Sequence, residues 1–152
     1  MGAIANALAD LATFGGTVAG ITHSYALSAT PDNLAPSMLP CAVIDFGPDD
    51  AMQWEPLTFL GQAPAYHFEV TQLIMVDTAD VHQYRKVMPT LITLLDAYLT
   101  ALKGAPYLIP LVAGISPSIH KATVCIPKIA TIPYGDVTYY GIVAKHKFEV
   151  FL

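Results

Sequence analysis

Residues 136–151 constrain this chain more than any other stretch. From Thr138 onward the alternate positions are Thr138, Tyr140, Ile142, Ala144, His146, Phe148 and Val150, an almost wholly apolar row. The intervening row is Val137, Tyr139, Gly141, Val143, Lys145, Lys147 and Glu149, whose distal half is charged. Period-two alternation of this kind predicts a long strand with one face on a core and the other partly wet. A chain that carries such a strand must build a sheet around it. Residues 119–132 are its natural partner, joined across Pro133-Tyr134-Gly135-Asp136 as a C-terminal hairpin.

The upstream pattern supplies the rest of the sheet and its cover. Residues 3–14 place Ile4, Leu8, Leu11 and Phe14 at helical spacing in an alanine-rich context, and Gly15-Gly16 predicts the helix stop. A first strand is expected over 21–27, a turn-rich loop over 30–40, a short second strand over 41–47 and a brief third strand over 57–60. Residues 65–77 read as the central strand. Tyr66, Phe68, Val70, Ile74 and Val76 form one face, with Gln72 as the exception, and His67, Glu69 and Thr71 open the other. Asp80 is the expected N-cap of a long helix reaching Lys103, with Val81, Tyr84, Met88, Leu91, Leu95, Tyr98 and Leu102 on its core face. Pro89 is expected to kink or split that helix. Residues 105–117 are broken by prolines and read as irregular. The result is a single α+β domain over 1–152, an antiparallel-rich mixed sheet with two helices packed on one face.

Composition then bears on what such a domain does. Charged residues make up 12% of the 152 positions and hydrophobic ones 54%, against about 25% charged in an ordinary soluble domain. So few charges cannot cover a lone domain of this size, and the surplus apolar surface predicts contacts with other subunits. A membrane span is excluded by local pattern: residues 11–31 are punctuated by glycine, histidine, serine and threonine, and residues 104–119 by Pro106, Pro110, Gly114 and Pro117. The N-terminus has no basic region of a secretory signal, and Asn6 stands where a myristoylation signal wants Ser or Thr. Cys41 and Cys125 lie in apolar strand contexts without CxxC spacing and read as buried thiols. Net charge is −5 with seven basic residues, a poor match to a nucleic-acid backbone, whose binding needs a basic surface.

Signatures of catalysis are missing from the pattern: no GxSxG elbow, phosphate-binding glycine loop or HExxH is present. No catalytic, cofactor-binding or metal-binding residue is assigned. His67, Glu69 and a cross-strand histidine such as His146 could in principle form a metal or ligand site in a small-molecule-binding dimer, although two strands' wet faces account for them more simply. Asp45, Asp49, Asp50 and Glu55 read as a solvated acidic loop, their spacing being wrong for wrapping calcium. Trp54, beside Met52, is either a lid over the core or an interface anchor, and the sequence leaves both open.

Taken as an order of elements, the chain resembles the small tail-terminator and head–tail joining proteins of bacteriophages with long non-contractile tails. The resemblance lies in the alanine-rich opening helix and the turn-rich Pro31-Asp32-Asn33-Leu34 with Leu39-Pro40 leading into a short strand. It continues in Tyr66-His67-Phe68-Glu69-Val70, the long helix with Pro89, and the closing Tyr134-Gly135, Tyr140-Gly141 and Phe148-Glu149-Val150. It implies a non-enzymatic virion protein assembled in the host cytoplasm. Its subunits would form a homo-oligomeric ring, usually a hexamer, that caps the tail tube, contacts tail-tube and neck proteins, and lets DNA pass without specific binding. A tail-tube subunit or a heterodimerising interaction module are the neighbouring readings. If the chain assembles in this way, Asp49, Asp50, Met52 and Trp54, with Tyr139 and Val143 on the second face of the last strand, are the expected interface residues.

Overall fold

The alternation in residues 137–150 is realised as the longest-range organiser of the fold. In the computed structural model, which describes residues 2–46, 65–80, 83–105 and 120–151, strand β5 (Val137–Phe151) lies between β3 (Ala65–Thr78) and β4 (His120–Tyr134). Both pairings are antiparallel. Beyond β3 come β2 (Cys41–Asp45), also antiparallel, and the two-residue β1 (His23–Ser24), which pairs parallel with β2. The sheet order is β1-β2-β3-β5-β4. Helix α1 (Ala3–Thr17) precedes the sheet and α2 (Tyr84–Gly104) connects β3 to β4. This is an α+β domain with a mixed sheet, a C-terminal hairpin and both helices on one face.

Period two decides which residues meet the helices. Tyr140, Ile142, Ala144, Phe148 and Val150 of β5 are buried in one cluster with Phe68, Val70 and Ile74 of β3 and with Ala7, Leu11, Phe14, Val87, Leu91, Leu94 and Tyr98 of the helices. The opposite face holds a smaller cluster of Cys41, Val43, Leu73, Met75, Ile132 and Tyr139. It is covered by Tyr25, Leu34 and Leu39 from the segment between β1 and β2. Thus β3 is covered on both sides over its second half, as its two apolar rows predict.

Several boundaries differ from the sequence reading. Helix α1 runs through Gly15-Gly16 to Thr17. Gly15 serves close packing: a Cβ there would stand 2.5 Å from Ser24 Oγ and 2.6 Å from Gln72 Nε2. Those two side chains reach the turn before it. Ser24 Oγ donates to the Ala12 carbonyl at 2.5 Å and Gln72 Nε2 to the Leu11 carbonyl at 3.2 Å. The expected strand over 21–27 shrinks to two residues, because the chain turns into a 3-10 segment at Leu27–Ala29. Asp80 does not cap α2. Gln83 occupies the N-cap without a side-chain bond, while the Asp80 carbonyl accepts from the Gln83 amide and the Tyr140 hydroxyl. Pro89 does not split α2, which continues to Gly104. The strand expected over 57–60 and the irregular stretch within 106–117 lie outside the described residues.

Strand β4 is an edge of the sheet among the described residues, and it is long enough to invite pairing with another chain. The two-residue turn Gly135–Asp136 makes Tyr134 and Val137 the first bonded pair. Alternation then turns the backbone groups of residues 125, 127, 129, 131 and 133 away from β5. Both prolines of the strand, Pro127 and Pro133, fall in that outward set. They interrupt the free row of donors without removing any bond to β5. Replacing both by threonine should restore a continuous edge, raise thioflavin-positive aggregation on mild heating and leave the circular dichroism spectrum unchanged. Equal aggregation of the variant and the parent would show that the prolines do not guard this edge.

Candidate functional site

Two places on the described structure carry more chemistry than the fold needs. The first is internal. Gln72, the polar exception on the core face of β3, and His146, the polar member of the apolar row of β5, are both fully buried. Tyr98 comes down from α2 between them, its hydroxyl 2.8 Å from Gln72 Oε1 and 2.7 Å from His146 Nε2. The Gln72 amide nitrogen is committed to the Leu11 carbonyl, so its oxygen faces Tyr98 and accepts from that hydroxyl. The single phenolic proton is thereby used, and His146 Nε2–H must donate to the Tyr98 oxygen. The relay runs His146 to Tyr98 to Gln72 to the α1 backbone and ties β5, α2, β3 and α1 together. His146 Nδ1 is left buried without a hydrogen-bond partner.

Burial sets the protonation of this cluster. It lowers the His146 pKa from 6.5 to about 4, because the imidazolium would lose its hydration. The Cys125 thiol, 3.8 Å from His146 Nε2, is pushed up to about 12 by burial, and on the other face of the sheet Cys41 is pushed up to about 11. The Tyr98 hydroxyl is raised well above its ordinary value by burial first and by Cys125 second. At neutral pH each of these groups is held in its uncharged form. A thiolate or imidazolium is therefore not on offer here, and the cluster acts as a polar clamp on the core.

The residues singled out from sequence as a ligand set do not converge. His67 and Glu69 stand on the face of β3 away from the helices, whereas His146 faces the helices across the same sheet. The sheet itself separates them, since side chains one position apart in parity leave on opposite sides. His67 instead lies 3.3 Å from Glu149, and Glu69 lies 3.5 Å from Lys145 and 3.3 Å from Lys147. These cross-strand pairs follow from the register His67↔Glu149 and Glu69↔Lys147. Being partly exposed, each contributes about 0–1 kcal/mol. Among the described residues no group of three or more His, Cys, Asp or Glu is arranged to hold a metal ion, and no helix is long and apolar enough to cross a membrane.

The second place is the outer flank of α2. Its most buried residues are Val87, Leu91, Leu94 and Tyr98, so the core face is rotated from the expected stripe, and Tyr84 is 47% exposed, edge-on to Tyr140. At 100° per residue the apolar arc continues from that buried line through half-buried Met88, Leu95 and Leu102 to Ile92 and Leu99, which are 49% and 45% exposed. It spans roughly 160°, wider than the ~100° stripe a helix needs to face one core. The signal was legible in sequence, in that Ile92 and Leu99 repeat at seven residues beside the expected core positions.

The residues expected at an interface divide between the smaller core cluster and the stretch outside the described residues. Tyr139 is 4% exposed and belongs to the smaller core cluster, with Val143 packed against it. In the isolated chain both rings of that cluster's edge, Tyr139 and Tyr134, serve the covering of the second sheet face. Asp49, Asp50, Met52 and Trp54 lie outside the described residues. Compared with known proteins, the chain matches no family model and no curated protein.

Proposed function

We propose that this chain is a structural subunit of a virion, a tail-terminator or head–tail joining protein that assembles into a ring on the tail tube and leaves a passage for DNA. The observation that carries the reading is the apolar arc of α2, which extends past the core to Ile92 and Leu99. Half-exposed isoleucine and leucine on one helix flank, in a chain with 12% charged residues, are surface suited to another subunit. The α+β architecture with two helices on one face agrees with the resemblance in element order. A net charge of −5 suits a conduit that must not grip a polyanion. Burial of His146, Cys125 and Cys41 in their neutral forms speaks for a role in packing.

A ring closes only through contacts between two different patches of the same subunit. Light scattering coupled to size exclusion should therefore return a fixed multiple of the 16.3 kDa chain mass, and negative-stain images should show annular particles with a central hole. A clean monomer at micromolar concentration, with no annuli, would overturn the reading.

A further inference from the structure

Within that ring reading, on which this inference rests, we propose that the tip of the β4–β5 hairpin of one subunit seats on the outer flank of α2 of the next copy. Among the described residues sheet extension is a poor route between copies, because Pro127 and Pro133 interrupt the outward edge of β4 and β1 is two residues long. Among the described residues the exposed large hydrophobics are Leu27, Tyr84, Ile92, Leu99, Ile126 and Val137, and two places among them carry neighbouring charges of opposite sign. One is the flank of α2, where Arg85, Ile92 and Leu99 repeat every seven residues and Lys103 follows one turn later. Arg85 and Lys103 are exposed at its two ends and Asp96, the one acid on this helix, lies beside it, whereas Lys86 is about a third of a turn away. The other is the hairpin tip, where Val137 is 40% exposed beside Asp136.

The tip is acidic and firmly held. Tyr134 donates from its hydroxyl to the Pro31 carbonyl, which brings Asp32 against Gly135. The Ala79 amide donates to the Thr138 carbonyl at 2.8 Å, which brings Asp77 and Asp80 to the same end. All four aspartates, Asp32, Asp77, Asp80 and Asp136, are exposed. An apolar centre with an acidic rim thus faces an apolar line with basic ends. The two patches are different surfaces of one chain, so joining them between copies repeats head to tail, which is the contact type that closes a ring. Opposite charge at the rim fixes orientation and speeds encounter, while the apolar centre holds the complex.

The test uses the full-length protein, with molar mass by light scattering and helicity by circular dichroism. The double variant Ile92→Asp, Leu99→Asp should run as a folded monomer, and Val137→Asp should do the same from the other side of the contact should the helix variant lose its fold. Asp136→Lys should weaken assembly at least ten-fold in low salt, and adding Lys103→Asp should restore it. A parent that forms rings together with variants that assemble as well as it does would overturn this contact and leave the ring reading standing. A monomeric parent would overturn both.

Discussion

Replacing Gly141 with alanine is expected to lower the melting temperature by on the order of 10 °C or to prevent folding outright. Gly141 is the fifth residue of β5 and lies opposite Met75, just where the pairing of β3 slips between Met75 and Asp77. At this irregularity the two backbones leave no room for a side chain at position 141. A Cβ at position 141 would lie 2.0 Å from the Ile74 carbonyl oxygen and 2.8 Å from Ile132 Cδ1. A side-chain tip can rotate away, but a carbonyl within a paired strand cannot move without breaking its ladder. Overpacking of a core typically costs about 1–3 kcal/mol, and a backbone clash belongs at or above the top of that range. For a domain of this length each kcal/mol shifts the midpoint by about 2–4 °C. Gly104→Ala is the matched control, since nothing lies within 4 Å of a Cβ there. Thermal melts that move equally little for both variants would show that β3 yields at the bulge.

Acid should weaken the fold through His146. Its folded pKa of about 4 lies below the ordinary 6.5, so the unfolded chain takes up the proton first as pH falls. Stability from this group is full above about pH 6.5, declines between 6.5 and 4, and is flat below that, where both states are protonated. The slope approaches 1.4 kcal/mol per pH unit and the whole loss is roughly 3 kcal/mol. The structural cause is specific: Nε2–H is already used on Tyr98, and a proton on Nδ1 would create a buried charged donor with no acceptor. Urea denaturation at several pH values, on the parent and on His146→Gln, isolates this share from that of the carboxylates. The parent should lose about 3 kcal/mol more than the variant between pH 7 and 4. Parallel curves for the two proteins would mean that His146 is reached by water.

The hairpin, the central strand and the two helices were legible in sequence because each rests on local periodicity. Period two in residues 137–150 and a 3.6-residue repeat in 84–104 are properties of neighbours along the chain. The buried relay was only half legible. Gln72 and His146 announced themselves as polar interruptions of apolar rows, but they are 74 positions apart, and their meeting with Tyr98 depends on β3 pairing with β5 beneath α2. The grouping of His67 and Glu69 with His146 failed for the converse reason, since residues near one another in register can still leave a sheet on opposite sides.

What the sequence determined by itself was the kind of element at most positions, the row of each strand that turns inward, and a shortage of charge that one domain's surface would not need. What only the tertiary structure decided was where elements press on one another. Gly15 continues a helix it was expected to end because Ser24 and Gln72 lie against it, and the face of α2 turns so that Val87 and Leu94 go inward while Ile92 and Leu99 remain outside. Local pattern reports a chain's own geometry, whereas close approach and leftover apolar surface are defined only by a partner element's position.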